Sequence, residues 1–241
     1  MTPLTQEFVN NCPIENGFRL RGMDMTRIEV FVDAAFAFSV TMLMISYDSI
    51  PTSFAEMVLA IKGIPAFIFS VSQLVWIWYT HNIWSKRYGL DNAATVALST
   101  ALLIVILIYI YPMRIMLEGM FTWLTNGYLS SVFTLNSLQE VMYMFVFLGI
   151  GFVTLSLIFV LMHRYAASLK NELRLNQIEM YETKTIELLW LTAAGVGLTM
   201  VLVALFIPQP LTPFSGFVLA LLGVLLPWVR YYREKSAPST N

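Results

Sequence analysis

The stretch RIEVFVDAAFAFSVTMLMI, Arg27–Ile45, has the composition of a membrane-spanning helix except for an aspartate near its start. A run of about 18 or more apolar residues is long enough to cross roughly 30 Å of hydrocarbon as a helix. Asp33 lies inside this run, where an ionisable side chain costs about 2.5–3.5 kcal/mol on insertion scales. Because such a group normally needs a partner, we expect Asp33 to be engaged by another helix.

The whole chain has a similar composition. Of its 241 residues, 58% are hydrophobic and 12% are charged, far from the composition of an ordinary soluble domain. The apolar runs are continuous rather than alternating, which excludes a membrane β-barrel and favours helices. The net charge of -1 gives no electrostatic indication of nucleic-acid binding. We therefore predict an all-α, polytopic membrane protein.

Turn-rich segments such as DSIPTS, YGLDN and IPQPLTP divide the apolar runs into six predicted transmembrane helices. The six are Ile28 to Ser46, Met57 to Trp84, Ala93 to Met113, Leu138 to His163, Thr185 to Ile207 and Phe214 to Tyr231. Residues 1–26 are predicted to be a cytoplasmic N-terminal segment, residues 27–232 the transmembrane domain and residues 233–241 a cytoplasmic tail. The polar stretch between helices four and five is expected to be a short cytoplasmic helical hairpin or loop, and its simplest interpretation is a solvated connector.

Lysine and arginine are unevenly distributed over the predicted loops, and short cytoplasmic loops are the ones enriched in these residues. Of the fourteen lysines and arginines, only Lys62 and Arg114 lie on the side opposite to the rest. The other twelve are Arg19, Arg21, Arg27, Lys86, Arg87, Arg164, Lys170, Arg174, Lys184, Arg230, Arg233 and Lys235. This bias places both termini in the cytoplasm and supports an even number of spans.

The residues for enzyme or metal chemistry are missing from the sequence. The single cysteine, Cys12, cannot form an intrachain disulfide, and the two histidines, His81 and His163, are far apart. There is no His-Glu-x-x-His, no Gly-x-Ser-x-Gly and no phosphate-binding loop. We therefore predict that the protein is not an enzyme and holds no resident metal or cofactor.

The first predicted helix has two distinct faces. At about 100° per residue, Thr41 lies on the margin of an apolar stripe and Asp33 points roughly the opposite way. The stripe consists of Arg27, Phe31, Ala34, Phe38, Met42 and Ile45. One hypothesis makes the stripe ordinary lipid-facing or packed surface, with Asp33 as a structural residue. The other makes it a pore lining, in which apolar rings gate a water path by dewetting.

The second helix supplies candidate partners for Asp33 in Ser70, Trp78 and His81, which offer hydroxyl, indole and imidazole groups. An acid and an imidazole within the membrane also occur in proton relays. A proton-coupled carrier that uses Asp33 and His81 is therefore the main alternative to a channel. A purely structural or assembly protein is a further alternative.

The residues from Arg27 to Asp33 resemble the Arg-x-x-x-Phe-Ser-Asp signature that opens the first helix of the transmembrane protein 175 potassium-channel family. Val32 stands where the signature has serine. Ser70, followed by Trp78 and His81, resembles the family pattern of Ser and then Trp-x-x-His on the second helix. The resemblance extends over nearly the whole chain, although its specific part is these two helices.

The resemblance implies a potassium-selective, leak-like cation channel in the cell (inner) membrane, without the Thr-Val-Gly-Tyr-Gly filter loop. Prokaryotic members with one six-helix repeat form homotetramers around four copies of the first helix. The implied pore and gate residues are Phe38 at the constriction, Thr41 at a hydroxyl position near permeating K⁺, Met42 and Ile45. The implied structural network consists of Arg27, Phe31, Asp33, Ser70, Trp78 and His81.

Overall fold

The computed structural model describes residues 3–45, 51–129, 133 and 135–238; the side chain of Ile45 lies outside the described part. A small N-terminal unit comes first, with α1 at Gln6–Asn11, β1 at Ile14–Glu15 and β2 at Phe18–Arg19. The helices that follow are α2 (Arg27–Ile45), α3 (Phe54–Lys62), α4 (Ile64–Tyr88), α5 (Ala93–Leu124), α6 (Leu138–Ser168), α7 (Gln177–Phe206), a 3₁₀ helix (Gln209–Leu221) and α8 (Leu222–Lys235).

Five helical segments of the described chain are long and apolar enough to cross a membrane. These segments are Phe54–Tyr88, Ala93–Leu124, Leu138–Ser168, Gln177–Phe206 and Gln209–Lys235. They correspond to the second to sixth predicted spans. The first predicted span, α2, is a continuous helix of 19 residues but is not among the five.

The structure corrects the predicted course of several helices. The second span is two helices, because α3 ends and α4 begins at Gly63, with Pro65 in the first turn of α4. The third span, predicted to end at Met113, continues past Pro112 to Leu124 as α5. A proline in a helix interior removes one backbone hydrogen bond but does not have to end the helix. The last span begins as a 3₁₀ helix before α8.

Polar side chains explain where several of these helices begin. The side chains of Asn92 and Ser137 accept backbone N–H groups in the first turns of α5 and α6. Asn176 and Glu179 form a reciprocal capping box at the start of α7. The connector between α6 and α7 is therefore only residues 169–176, and the rest of the polar stretch belongs to the end of α6 and the start of α7.

The long helices pack in two groups of three. In the first, α2, α4 and α5 contact one another. In the second, α6 packs along α7, and both contact the 3₁₀ helix. Packing of α5 on α6 joins the groups, and the buried core runs through both, from Val32 and Leu102 to Phe159 and Trp190. This arrangement puts α2 on one side of the protomer, with α4 and α5 behind it.

The N-terminal segment folds onto the ends of both groups. Its hairpin turns at Asn16 and Gly17, which both have positive φ, as a two-residue type I′ turn requires. Phe18 is buried and packs edge-on against Tyr88 of α4, with 5.6 Å between ring centroids. The backbone N–H of Leu4 donates to the carbonyl of Glu172 at 2.9 Å. The N-terminal segment thus packs against the helical core.

Two glycines allow the chain to pass close to the end of α4. Gly89 ends α4 in the left-handed conformation, with φ at 57°. Gly22 lies against it and donates its N–H to the carbonyl of Lys86 at 2.9 Å. A Cβ on Gly22 would clash with the carbonyl oxygen of Ser85. A side chain at this crossing would therefore force the two backbones apart.

A buried ion pair fixes the N-terminal segment to α7. The guanidinium of Arg21 donates to Glu179 with Nη2 and Oε2 2.8 Å apart, and both side chains are almost completely buried. Arg21 Nε also donates to the Leu173 carbonyl at 2.8 Å. Glu179 Oε1 accepts the backbone N–H of Arg19 at 2.9 Å. Both members of the pair thus have additional hydrogen-bond partners, which a buried ion pair requires to be stable.

We expect the substitution Glu179→Gln to lower the apparent melting temperature of the purified protein strongly. Removing one member of a buried pair leaves the other charge uncompensated, at a cost of about 3–5 kcal/mol. Glu187→Gln is the matched control, because its partner Arg164 is 66% exposed and an exposed pair contributes about 0–1 kcal/mol. Equal melting temperatures for the two variants would show that the buried pair does not hold the segment in place.

Candidate functional site

One face of α2 is buried inside the protomer. Val32, Phe36, Ser39 and Leu43 are spaced by four, three and four residues, so they share one side of the helix. They are almost fully buried where α2 contacts α4 and α5. The Ser39 hydroxyl donates to the Ala35 carbonyl of its own helix at 2.8 Å, which satisfies it without a partner from another helix. This face is the packing surface of α2.

The opposite face of α2 is exposed and almost entirely apolar. Phe31 is 61% and Phe38 58% exposed, although both are large hydrophobic side chains. The remaining exposed residues of this face are Val30, Ala34, Ala37, Thr41 and Met44. An apolar surface of this kind faces lipid or another protein surface rather than water. Because α2 lies at one side of the protomer, this whole face is available to a neighbour.

The structure shifts the exposed stripe slightly from its predicted position. Thr41, predicted on the margin, is exposed on this face, and its hydroxyl donates to the Ala37 carbonyl at 3.2 Å. Met42, predicted within the stripe, is only half exposed. Val30 and Met44 belong to the exposed face although the sequence reasoning did not single them out. The predicted pore residue Ile45 has its side chain outside the described part of the chain.

Asp33 is bonded to α4 at the rim of the packing face. The indole Nε1 of Trp78 donates to Oδ1 of Asp33 at 2.7 Å. A charge-assisted bond of this length is among the stronger hydrogen bonds in proteins. The Asp33 residue as a whole is half-buried. The carboxylate is therefore held from within the protomer, away from the exposed stripe.

His81 lies on the same helix as Trp78 but bonds to a different neighbour. Its Nε2 is 3.0 Å from the hydroxyl oxygen of Ser99 on α5, and both side chains are buried. Trp78 thus ties α4 to α2, and His81 ties α4 to α5. The sequence reasoning named His81 but missed Ser99, since a serine in an apolar helix has no pattern that marks it as a partner.

The other residues of the predicted network lie apart from these two bonds. Ser70 is buried, but its hydroxyl donates to the Ala66 carbonyl of the same helix at 2.8 Å. Arg27 is exposed at the start of α2. Phe31 points to the exposed face rather than to α4. Within one chain the structure therefore brings Asp33 and Trp78 together. His81 lies on the same helix as Trp78 but contacts α5 instead of Asp33.

The C-terminal end of α2 is held by α5. The Tyr111 hydroxyl donates to the Met42 carbonyl at 3.3 Å, and the Arg114 guanidinium donates to the Leu43 carbonyl. Arg114 also pairs with Glu118, one turn further along α5, at 3.0 Å. The last carbonyls of a helix lack intrahelical partners and carry partial negative charge, which an arginine neutralises. The sequence reasoning treated Arg114 as a loop residue and missed this contact.

The arrangement offers an apolar face with one hydroxyl rather than a reactive centre. Among the residues that the structure describes, no group of three or more His, Cys, Asp and Glu side chains is arranged to hold a metal ion. The exposed stripe contains Thr41 as its polar group. Such a surface can pack against copies of itself or line a narrow passage, and it has no side chain suited to bond cleavage.

Two known proteins are similar to this chain over almost all of its length. No family model matches the chain. A protein of Marivirga tractuosa named "Potassium channel" is 31% identical over 230 residues, which cover 91% of this chain and 92% of that protein. The crystal structure of a variant of the potassium channel MtTMEM175, in complex with a nanobody fusion protein, superposes with a TM-score of 0.81. The two chains are 29% identical, and the match covers 92% of this chain and 99% of that one.

This similarity and the apolar helices make the protein a multi-pass membrane protein. The residues from Arg27 to Asp33, which carry the resemblance to the family signature, form the first turns of α2. The 31% identity to the potassium channel of Marivirga tractuosa covers almost all of both chains. The chain therefore belongs to the transmembrane protein 175 family.

Proposed function

We propose that the protein is a potassium-selective, leak-like channel in which α2 of four identical subunits surrounds the pore. The observation that carries this proposal is the exposed apolar face of α2, with Phe38 at its centre. A helix that packs one face on its own subunit can present the other to a central axis. Both matched relatives are named potassium channels, which favours a channel over an enzyme.

The residues of this face suggest how the pore works. Four copies of Phe38 would form a constriction of aromatic rings, and an apolar constriction closes by losing its water. Thr41, about one turn further along, would offer four hydroxyl oxygens to a partly dehydrated K⁺. Met42 and Ile45 are proposed as further pore residues. The permeant K⁺ is the only ion that this arrangement needs.

The proposed topology has six spans, with α2 as the first. Residues 1–26 and 233–241 are proposed to be cytoplasmic, and residues 27–232 to form the channel domain in the cell (inner) membrane. The lysine and arginine distribution supports this orientation. Folding of residues 3–22 against α4 and α7 is compatible with it, because Lys86 and Arg87 lie at the same end as this segment.

A proton-coupled carrier is less well supported than a channel. Its relay would need proton exchange between Asp33 and His81, but each of these residues has a different hydrogen-bond partner. Asp33 accepts from Trp78, and His81 bonds to Ser99 on α5. In addition, the two matched relatives are named channels. These two residues are therefore assigned a positioning role.

We expect the purified protein, reconstituted in liposomes, to pass K⁺ down its gradient without a proton gradient. A channel needs no coupling ion, since the electrochemical gradient alone drives permeation. The measurement is K⁺ efflux followed with a K⁺-sensitive dye, with Na⁺-loaded and protein-free liposomes as controls. Flux that strictly requires an imposed proton gradient would contradict the channel and support the carrier.

We expect Phe38→Ala to raise the K⁺ flux or to lower the K⁺/Na⁺ selectivity. A wider apolar ring holds water more readily, so the barrier to ion passage falls. Phe206→Ala is the matched control, because Phe206 is 81% exposed at the end of α7, outside the group of helices that packs with α2. If the flux and K⁺/Na⁺ selectivity of Phe38→Ala equal those of the wild type, Phe38 is not at the narrowest point.

We expect Trp78→Phe to weaken assembly while leaving the selectivity of the remaining channels unchanged. The substitution keeps an aromatic ring but removes the N–H that binds Asp33. Hydrogen bonds between membrane helices average about 0.6 kcal/mol and reach about 1.7 kcal/mol. Size-exclusion chromatography and melting temperature measure the loss, and Trp76→Phe, on an exposed residue of the same helix, is the control. Normal assembly with altered selectivity would show that Asp33 acts on the ions.

A further inference from the structure

A cavity of about 340 Å³ lies between the N-terminal hairpin, the end of α4, the start of α7 and α8. Small-molecule sites have volumes of about 300–1,000 Å³, so this cavity can admit a ligand group. Its walls include Phe18 of β2, Arg87 of α4, Tyr181 of α7 and Arg233 of α8. None of these residues belongs to the exposed face of α2 or to its supports.

The charged groups of the cavity leave a positive surplus. Three arginines and two glutamates line it. Arg230 is neutralised by both glutamates, at 2.7 Å from Glu182 and 2.9 Å from Glu234. Arg87 and Arg233 form no ion pair with a carboxylate among the described residues. The cavity therefore has a net charge of +1 from these groups, and Arg87 and Arg233 are the two arginines that no carboxylate of the described chain contacts.

Aromatic rings hold both of these arginines in place. The guanidinium carbon of Arg87 is 4.8 Å from the ring centroid of Phe18, and its Nη1 is buried without a hydrogen-bond partner among the described residues. The guanidinium of Arg233 is 4.0 Å from the Tyr181 ring, and its Nε donates to Thr185 at 3.0 Å. Stacked guanidinium groups with unused N–H donors are suited to phosphate oxygens.

A shallower depression shares Arg233 and continues along α7. Its other walls include Lys184, Leu188 and Leu191, which follow one another by four and three residues on one face of the helix. Glu187 also borders it but is paired with Arg164 at 3.0 Å. Cationic groups thus stand at one end of this depression, and exposed leucines continue from it along a helix that is apolar enough to span the membrane.

We propose that Arg87 and Arg233 bind the phosphate group of an anionic phospholipid, whose acyl chain lies along Leu188 and Leu191. Basic pockets between helices at the cytoplasmic side of membrane proteins are suited to anionic headgroups. The leucine face beside Arg233 favours a lipid over a free phosphate, since inorganic phosphate would use only the polar cavity. This site lies apart from the proposed pore.

The test titrates the full-length protein in detergent with dioctanoyl phosphatidylglycerol and follows the apparent melting temperature. Dioctanoyl phosphatidylcholine, which has a phosphate but no net charge, and inorganic phosphate are titrated in parallel. We expect phosphatidylglycerol to stabilise the wild type most. In Arg233→Gln, the concentration for half of the effect should rise at least about tenfold, because a charge-assisted hydrogen bond is lost. The matched control is Lys235→Gln, an exposed residue of the same helix outside the cavity.

Arg87→Gln is measured in the same way, because Arg233 also contacts α7 through Thr185 and its replacement can impair folding. If Arg233→Gln does not yield folded protein, Arg87→Gln decides the outcome. An identical lipid response in the cavity variants and Lys235→Gln would overturn the site. An equal effect of inorganic phosphate would overturn its assignment to a lipid. The readout is binding and needs no ion flux, so failure here is distinguishable from failure of the proposed conduction.

Discussion

The hydrogen bond from Trp78 to Asp33 is the constraint on which the orientation of α2 depends. An aspartate in an apolar helix must have its carboxylate satisfied, and here the partner comes from the same subunit. Val32 and Phe36 enter the core beside it. With that side of the helix fixed, its remaining apolar side chains can only point away from the subunit. This bond and the buried face beside it thus determine which surface of α2 meets its surroundings.

The second attachment of α2 lies at its other end, where Tyr111 and Arg114 of α5 bind its last carbonyl groups. The helix is therefore held by side chains near both ends, from two different helices. Between them, α4 and α5 are joined to each other by His81 and Ser99. The three helices form a closed set of contacts, in which rotating α2 would break polar bonds at both ends.

The sequence was sufficient to predict the main features of the fold and the need for a partner of Asp33. Continuous apolar runs predicted six spans, and five of these correspond to described helices long and apolar enough to cross a membrane. The cost of a charge in lipid required a partner for Asp33, with Trp78 among the candidates. Whether Phe38 and Thr41 line a pore stays a prediction, because it depends on neighbouring subunits. The Ser99 partner of His81 could not be predicted, since helical periodicity gives faces but not which helices adjoin.

Other features were missed although a signal for them existed. The Asn16-Gly17 pair is a strong indication of a tight hairpin, and an arginine such as Arg114 beside a long apolar run invites a search for helix-end carbonyls. The continuation of α5 past Pro112 had no such signal, because a proline marks a lost backbone bond and not necessarily the end of a helix.

The contacts of the N-terminal segment have a consequence for how the protein is made. Residues 4 to 21 leave the ribosome well before their partners Glu172, Leu173 and Glu179, which are translated about 150 residues or more later. The segment cannot reach its final position until the start of α7 has emerged and α4 has already been inserted. Docking of the hairpin is therefore a late event in biogenesis. It can take place only in chains whose helices α2 to α6 have already been synthesised.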